Sequence, residues 1–298
     1  MEFCTSRAGP RSNFLQGGAR RSRILARPPT HPSPVSDLLA ALLLGIIEGL
    51  TEFLPVSSTG HLLIAQHWLG ARSDFFNIVI QAGAILAITL VFRQRIVALA
   101  TGLDKPENRD YVIKLVAAFA VTAAVGLPVR LAGWELPETV TPIAWALVVG
   151  GVWMILAERI AERRGDRTDV TWTVAILVGL AQVVAGVFPG TSRSAAAIFM
   201  AMLAGLTRRA AATEFVFLVG IPTMFAASGY AFLELWLEGG LGGEAWGEVA
   251  LAFAAATATG FVVVKWLLGY IRQHRYTGFA VYRIILGGAL LLFIPGGS

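Results

Sequence analysis

Apolar positions in this chain do not alternate with polar ones; they run together. Tyr111 to Leu131, Val140 to Leu156 and Leu251 to Leu268 are predominantly hydrocarbon. Each comes close to the roughly 20 residues that cross a bilayer core. Ten segments of this kind can be read. Two are short and flank a polar island: Leu38 to Leu54 and Ser58 to Leu69. Three long ones follow at 75–99, 111–131 and 139–157. A second short pair comes at 170–188 and 192–206, then three more long segments at 212–236, 247–270 and 279–295. The pattern predicts an all-α polytopic membrane protein.

The order two short, three long occurs twice, and the short pairs resemble each other. "GIIEGLTEFLPVSSTGHLL" from Gly45 sets beside "GLAQVVAGVFPGTSRSAAAI" from Gly179 at a constant offset of 134, Glu48 on Gln182, Pro55 on Pro189 and Ser58 on Ser192. Short, proline-broken segments at matching places in two halves point to discontinuous helices around a midplane site. Interrupted backbone at membrane depth needs protein or a water-filled cavity to satisfy it. Each short pair is therefore expected to be a re-entrant hairpin. Three spans separate the hairpins, an odd number, so the second half is inverted relative to the first. The expected architecture is an inverted-topology repeat of six transmembrane helices plus two re-entrant helical hairpins, with a first repeat over 35–158 and a second over 159–298.

Composition agrees: of 298 residues 56% are hydrophobic and only 14% charged, against about 25% in ordinary soluble domains. The net charge of +5 does not indicate a nucleic-acid partner. Residues 1–34 hold six arginines against Glu2, and the rest of the chain carries as many acidic as basic residues. That tail, rich in Arg and Pro, is expected to be disordered. It makes a poor signal peptide, and Val35, read from an alternative start codon, is the expected natural start. The single cysteine, Cys4, lies in the tail, so there is no disulfide framework.

Loop charges orient the body. Arg93, Arg95, Lys105, Arg109, Lys114, Arg159, Arg163, Arg164, Arg167, Arg208, Arg209, Arg272 and Arg275 gather on one side. The other has only Arg72 and Arg130, with Glu135, Glu138, Glu234, Glu238, Glu244 and Glu248. The first side is expected to be cytoplasmic, which opens the first hairpin outward.

The polar islands carry the candidate chemistry. Glu48 and Glu52, four apart, share one helix face. Carboxylates at membrane depth are costly and mark cavities, although a wet helix end is the plainer explanation. Two so close favour a bound cation, a shared proton or a nearby arginine, and as ligands they suit Mg²⁺ or Ca²⁺ alike. After Pro55, the hydroxyls of Ser57, Ser58 and Thr59 stand where the next helix begins. Such positions cap backbone N–H groups and attract phosphate. A serine within reach of His61 and a carboxylate fits nucleophilic or acid–base chemistry.

In the second island, "PGTSRS", Gly190 permits close backbone approach. Thr191, Ser192 and Ser194 add hydroxyls. Arg193 is a permanent charge in apolar surroundings and needs an anion. Phosphate suits its planar fork, and a salt bridge to Glu48 or Glu52 is compatible with that. The set suits phosphate chemistry at a depth lipid headgroups reach. A transporter or flippase of lipid phosphates would want the same arginine.

"EGLTEFLPVSSTGH" at 48–61 and "PGTSRS" at 189–194, with "ALVVGG" at 146–151 and "EFVFLVGIP" at 214–222, closely resemble the bacitracin-resistance family of undecaprenyl-diphosphatases, over about residues 35–296. The resemblance implies hydrolysis of undecaprenyl diphosphate to undecaprenyl phosphate and inorganic phosphate in the bacterial cytoplasmic membrane. That recycles the cell-wall lipid carrier and confers bacitracin resistance, at a site opening to the extracytoplasmic side. It implies paired acids at Glu48 and Glu52, motif hydroxyls at Ser57, Ser58 and Thr59, a histidine at His61 and a phosphate clamp at Arg193 beside Ser192 and Ser194. Gln182, matching Glu48, joins the expected substrate-binding residues with Gly190 and Thr191. The chain departs from the family pattern at Ala195, Ala197, Asn77 and Val216, where a glycine, a threonine, an acid and a serine are usual. His61 is expected to move a proton, with Glu52 and Glu48 orienting it, holding a cation or acting as base. A homodimer is compatible with this reading.

Overall fold

In the computed structural model, which describes residues 36–132, 139–239 and 243–293, the described chain consists of ten α-helices and no strand. The Arg-rich tail and the expected Val35 start lie outside those residues. The helices are α1 (Asp37–Thr51), α2 (Ser58–Leu69), α3 (Asp74–Thr101), α4 (Pro106–Leu131), α5 (Val140–Glu162), α6 (Trp172–Val187), α7 (Arg193–Leu203), α8 (Arg209–Leu237), α9 (Trp246–Tyr270) and α10 (Thr277–Phe293). They follow the ten apolar segments within a few residues.

Local chemistry places their ends. Ser36, Ser73 and Thr171 cap α1, α3 and α6 by accepting from Leu39, Phe76 and Val174 N–H groups. Pro106, which lacks an N–H, occupies the first turn of α4. The helix α5 continues through residues 159–162, so the division expected after 158 falls within it.

Five helices, α3, α4, α5, α8 and α9, are long and apolar enough to cross a membrane. The protein is a multi-pass membrane protein. The sixth expected span, α10, has 17 described residues. The short helices α1, α2, α6 and α7 have 15, 12, 16 and 11 residues. At about 1.5 Å per residue none reaches the roughly 30 Å of a bilayer core. Exposed tryptophans stand near helix ends: Trp68, Trp236 and Trp246 beside the acidic loops, Trp172 and Trp266 beside the basic ones. Amphipathic rings favour that depth.

Helix pairing has a regular form. α1 packs on α9 as α6 packs on α4, α3 on α9 as α8 on α4, and α1 on α2 as α6 on α7, while α3·α8 and α5·α10 pair across. Individual contacts repeat too. A Cβ on Gly45 would overlap the Ala252 carbonyl, and one on Gly179 would lie 2.6 Å from the Ala118 oxygen. Gly179 follows Gly45, and Ala252 follows Ala118, by the same 134 residues. Between α5 and α10 a Cβ on Gly151 would stand 2.7 Å from the Ala280 oxygen, and one on Gly287 2.6 Å from that of Ala144. Here both partners are 136 residues apart. Small residues allow this backbone approach between apolar helices.

The ion pairs respect the two loop sets read from the sequence. Arg72 pairs with Glu248, and Arg130 with Glu234. At the other end Arg209 and Arg275 share Glu162, and Arg209 also holds the buried Glu158 at 2.7 Å.

Candidate active site

Each short pair breaks at its proline and restarts on a serine in the left-handed region. Ser57 has φ 74° and Ser192 φ 68°; they are the only two non-glycine residues with positive φ among the described residues. Such conformations cost about 1–3 kcal/mol and gather at functional sites. Both cap the following helix, the Ser57 hydroxyl accepting from Gly60 N–H at 3.4 Å and the Ser192 hydroxyl from Ala195 N–H at 3.3 Å. Their equivalence corrects the ungapped alignment. The geometric counterpart of Ser192 is Ser57, not Ser58, because the second turn holds one more residue between proline and cap. The counterpart of Ser58 is then Arg193, each the first residue of its helix.

Those two residues converge on one carboxylate. The Ser58 hydroxyl donates to Glu52 Oε2. Arg193 Nη2 stands 3.9 Å from Glu52 Oε1, so the guanidinium, 31% exposed, is close enough to attract the acid and free enough to take another anion. Glu52 joins Ser57, Ser58, Thr59, Ala185, Gly190, Ser192 and Arg193 around a small polar pocket. The two helix N-termini border this pocket with their positive dipole ends. A second pocket shares Glu52 and Arg193 but is otherwise chiefly apolar, walled by Phe53, Ile88, Ala197, Val216, Phe217, Ile221 and Met224.

Side-chain donors to backbone carbonyls fasten the two turns to each other. Ser194 Oγ donates to the Leu54 carbonyl at 3.1 Å, so this hydroxyl serves the junction. Arg283, fully buried on α10, reaches both tips: Nη1 donates to Thr191 O at 3.0 Å and Pro55 O at 3.4 Å, Nη2 to Gly190 O at 2.9 Å and Ala146 O at 3.1 Å. Gly190 has φ 88°, and a Cβ on it would meet Ile143 O at 2.8 Å. Sequence reasoning missed Arg283, although a lone charge in the apolar run 277–293 is the signal that singled out Arg193.

The remaining candidates lie farther back. Glu48 is 2% exposed, and its Oε2 has no hydrogen-bond partner among the described residues. Gln182 is 4% exposed with both amide atoms unpartnered, and it borders the apolar pocket. Thr191 contributes its carbonyl to Arg283. His61 does not line the polar pocket. Its Nδ1 is 2.7 Å from the Ser57 carbonyl and its Nε2 2.7 Å from the Tyr282 hydroxyl. No group of three or more His, Cys, Asp or Glu side chains that could hold a metal occurs among the described residues.

The profile of bacitracin resistance protein BacA matches residues 41–289. The chain belongs to the BacA family. It is 75% identical over 264 residues, 89% of this chain and the whole of the relative, to a protein of Stenotrophomonas maltophilia strain R551-3 named undecaprenyl-diphosphatase. It is 70% identical over the same coverage to one of that name from Xanthomonas oryzae pv. oryzae strain PXO99A. A third so named, from Xanthomonas campestris pv. campestris strain 8004, is 71% identical over 261 residues, 88% of this chain and 99% of the relative. The match spans both turns, so Glu52, Ser58 and Arg193 all lie inside the family region.

Proposed function

We propose that this chain is an undecaprenyl-diphosphate phosphatase, hydrolysing undecaprenyl diphosphate to undecaprenyl phosphate and orthophosphate. The observation that carries the chemistry is Glu52, engaged by Ser58 on one oxygen and facing Arg193 on the other. Phosphoryl transfer asks for charge neutralisation and in-line positioning. Arg193 neutralises and orients, while the N–H groups of the α2 and α7 first turns cradle oxyanions.

Ser58 Oγ attacks the terminal phosphorus as its proton passes to Glu52. The new Oγ–P bond forms while the bridging O–P bond breaks, and undecaprenyl phosphate leaves with the bridging oxygen. Water then displaces Ser58 from phosphorus. One of its protons returns to Oγ, the other departs on orthophosphate, and Glu52 releases its proton to solvent. In the direct version Ser58 orients a water whose proton Glu52 takes; it uses the same residues. The apolar pocket on the far side of Glu52 and Arg193 suits the first isoprene units. Gln182 and Ser194 stand at its polar end, with Thr59, Ser57 and Ser192 toward the phosphates.

A divalent cation fits only with help. Glu48 Oε2 has no hydrogen-bond partner among the described residues and Glu52 is nearby, so these two would hold Mg²⁺ or Ca²⁺ while phosphate oxygens and water completed the shell. Such an ion would add charge neutralisation to that of Arg193.

The same reading covers architecture. The matched contacts Gly45–Ala252 with Gly179–Ala118, and Gly151–Ala280 with Gly287–Ala144, support an inverted repeat of α1–α5 and α6–α10. The short proline-broken pairs support re-entrant hairpins. The basic loop set supports a cytoplasmic face in the bacterial inner membrane, with the α1–α2 turn opening to the opposite side. Whether one chain acts alone or as a homodimer does not enter the chemistry, since both turns come from one chain.

A flippase would use the same fold, but the relatives' name is that of a phosphatase. Purified protein in detergent should release orthophosphate from undecaprenyl diphosphate. Movement of the lipid across sealed vesicles without release would favour transport and overturn the reading.

A further inference from the structure

His61 stands in the first turns of α2 with both ring nitrogens occupied. A carbonyl only accepts, so the nitrogen 2.7 Å from Ser57 O carries hydrogen, and in the neutral ring Nε2 then accepts from the Tyr282 hydroxyl. The two rings lie nearly parallel, 15° apart, with centroids at 5.7 Å. Neither nitrogen faces the phosphate pocket. What His61 touches is the carbonyl of the left-handed residue, which also accepts from its backbone N–H at 3.3 Å.

The second turn makes the purpose legible. Ser192 has the same backbone but no ring behind it, because the residue four along is Ala196, whose N–H alone bonds the Ser192 carbonyl at 2.9 Å. The residue that turn presents is Arg193, long enough to reach its anion from many backbone placements. The residue the first turn presents is Ser58, whose Oγ sits one bond from Cβ and follows the backbone directly. A short nucleophile needs a fixed turn more than a long clamp does.

We infer that His61 is a positioning residue, and that Tyr282, Nδ1 of His61 and the Ser57 carbonyl form a brace that locks the Ser57 turn and aims Ser58 at Glu52. The inference rests on the proposed Ser58–Glu52 chemistry. Tyr282 thereby joins α10 to the first hairpin, as Arg283 next to it does through the Pro55 carbonyl.

A side-chain amide distinguishes bracing from proton transfer. Asn at 61 can place an N–H where Nδ1 lies but cannot shuttle a proton near neutral pH. In detergent, His61→Asn should keep phosphate release within about fivefold of the parent, while His61→Ala loses at least about tenfold more, the scale of one positioned hydrogen bond. Tyr282→Phe should lower kcat by about threefold or more with KM nearly unchanged, as expected for an interaction acting on orientation. Adding Tyr282→Phe to His61→Asn should cost nothing further, since the shorter amide does not reach the phenol. A His61→Asn variant that melts like the parent yet is as inactive as Glu52→Gln would overturn the brace in favour of proton transfer. So would a Tyr282→Phe variant with parental kcat. If His61→Ala does not survive extraction, the comparison of His61→Asn with the parent decides alone. An active Glu52→Gln would instead sink the underlying Ser58–Glu52 reading.

Discussion

Ser58 donates its hydroxyl hydrogen to Glu52, and it does so from the first residue of α2, the position that Arg193 holds on α7. The residues proposed as nucleophile and clamp thus occupy equivalent places in two similar turns and meet at one carboxylate.

Removing the hydroxyl tests the first of these roles. Ser58→Ala should lower phosphate release by at least about a hundredfold, the range for losing an activated nucleophile or a positioned water. Acid quench during turnover, followed by mass analysis, should find phosphate on Ser58 when the covalent route operates. Activity of Ser58→Ala close to the parent's would remove Ser58 from the chemistry.

Arg283 is expected to matter through shape. Arg283→Met leaves the Pro55, Gly190 and Thr191 carbonyls at the two turns without this donor, and buried acceptors left unpaired cost about 1–3 kcal/mol each. The melting temperature in detergent should fall by more than about 5 °C, with activity falling alongside. Arg283→Lys should recover part of both. An unaltered melting curve for Arg283→Met would mean that the turns hold together without it.

Two neighbouring glycines on α10 provide an internal control. A Cβ on Gly287 would press 2.6 Å from the Ala144 carbonyl, whereas one on Gly288 meets nothing within 4 Å. Gly287→Ala should destabilise by about 1–3 kcal/mol through overpacking. Gly288→Ala should be neutral or slightly stabilising, because alanine suits a helix better by about 1 kcal/mol. Equal melting temperatures would contradict the close approach of α5 and α10.

Filling the apolar pocket should separate chain from headgroup. Ile221→Trp is expected to raise KM for undecaprenyl diphosphate by about tenfold, the scale of one or two methylene contacts, with kcat less affected. A parental KM would place the isoprene units elsewhere.

Much of this was legible in the sequence for physical reasons. Continuous apolar runs fix where helices lie, since a bilayer leaves few alternatives to them. Pro55 and Pro189 marked both breaks, and the charges around Arg93 or Glu248 sorted the loops. The register of the tips was not legible. Whether Ser57 or Ser58 matches Ser192 depends on backbone dihedrals, and an ungapped alignment cannot see the extra residue before the second cap. The partners of His61 were not legible for a related reason. His61 is close to Ser58 in sequence, yet its ring turns to Ser57 O and to Tyr282, 221 residues away. Arg283 carries the same lone-charge signal as Arg193 but lies outside both polar islands, and its partners are carbonyls, which carry no residue-type signal.

The central claim is that two halves of one chain each supply part of a single phosphatase site. Orthophosphate release from undecaprenyl diphosphate by Glu52→Gln and by Arg193→Ala, each purified in detergent with a parental melting curve, tests it most directly. Both rates should fall by at least about a hundredfold. Near-parental release from either variant would contradict it.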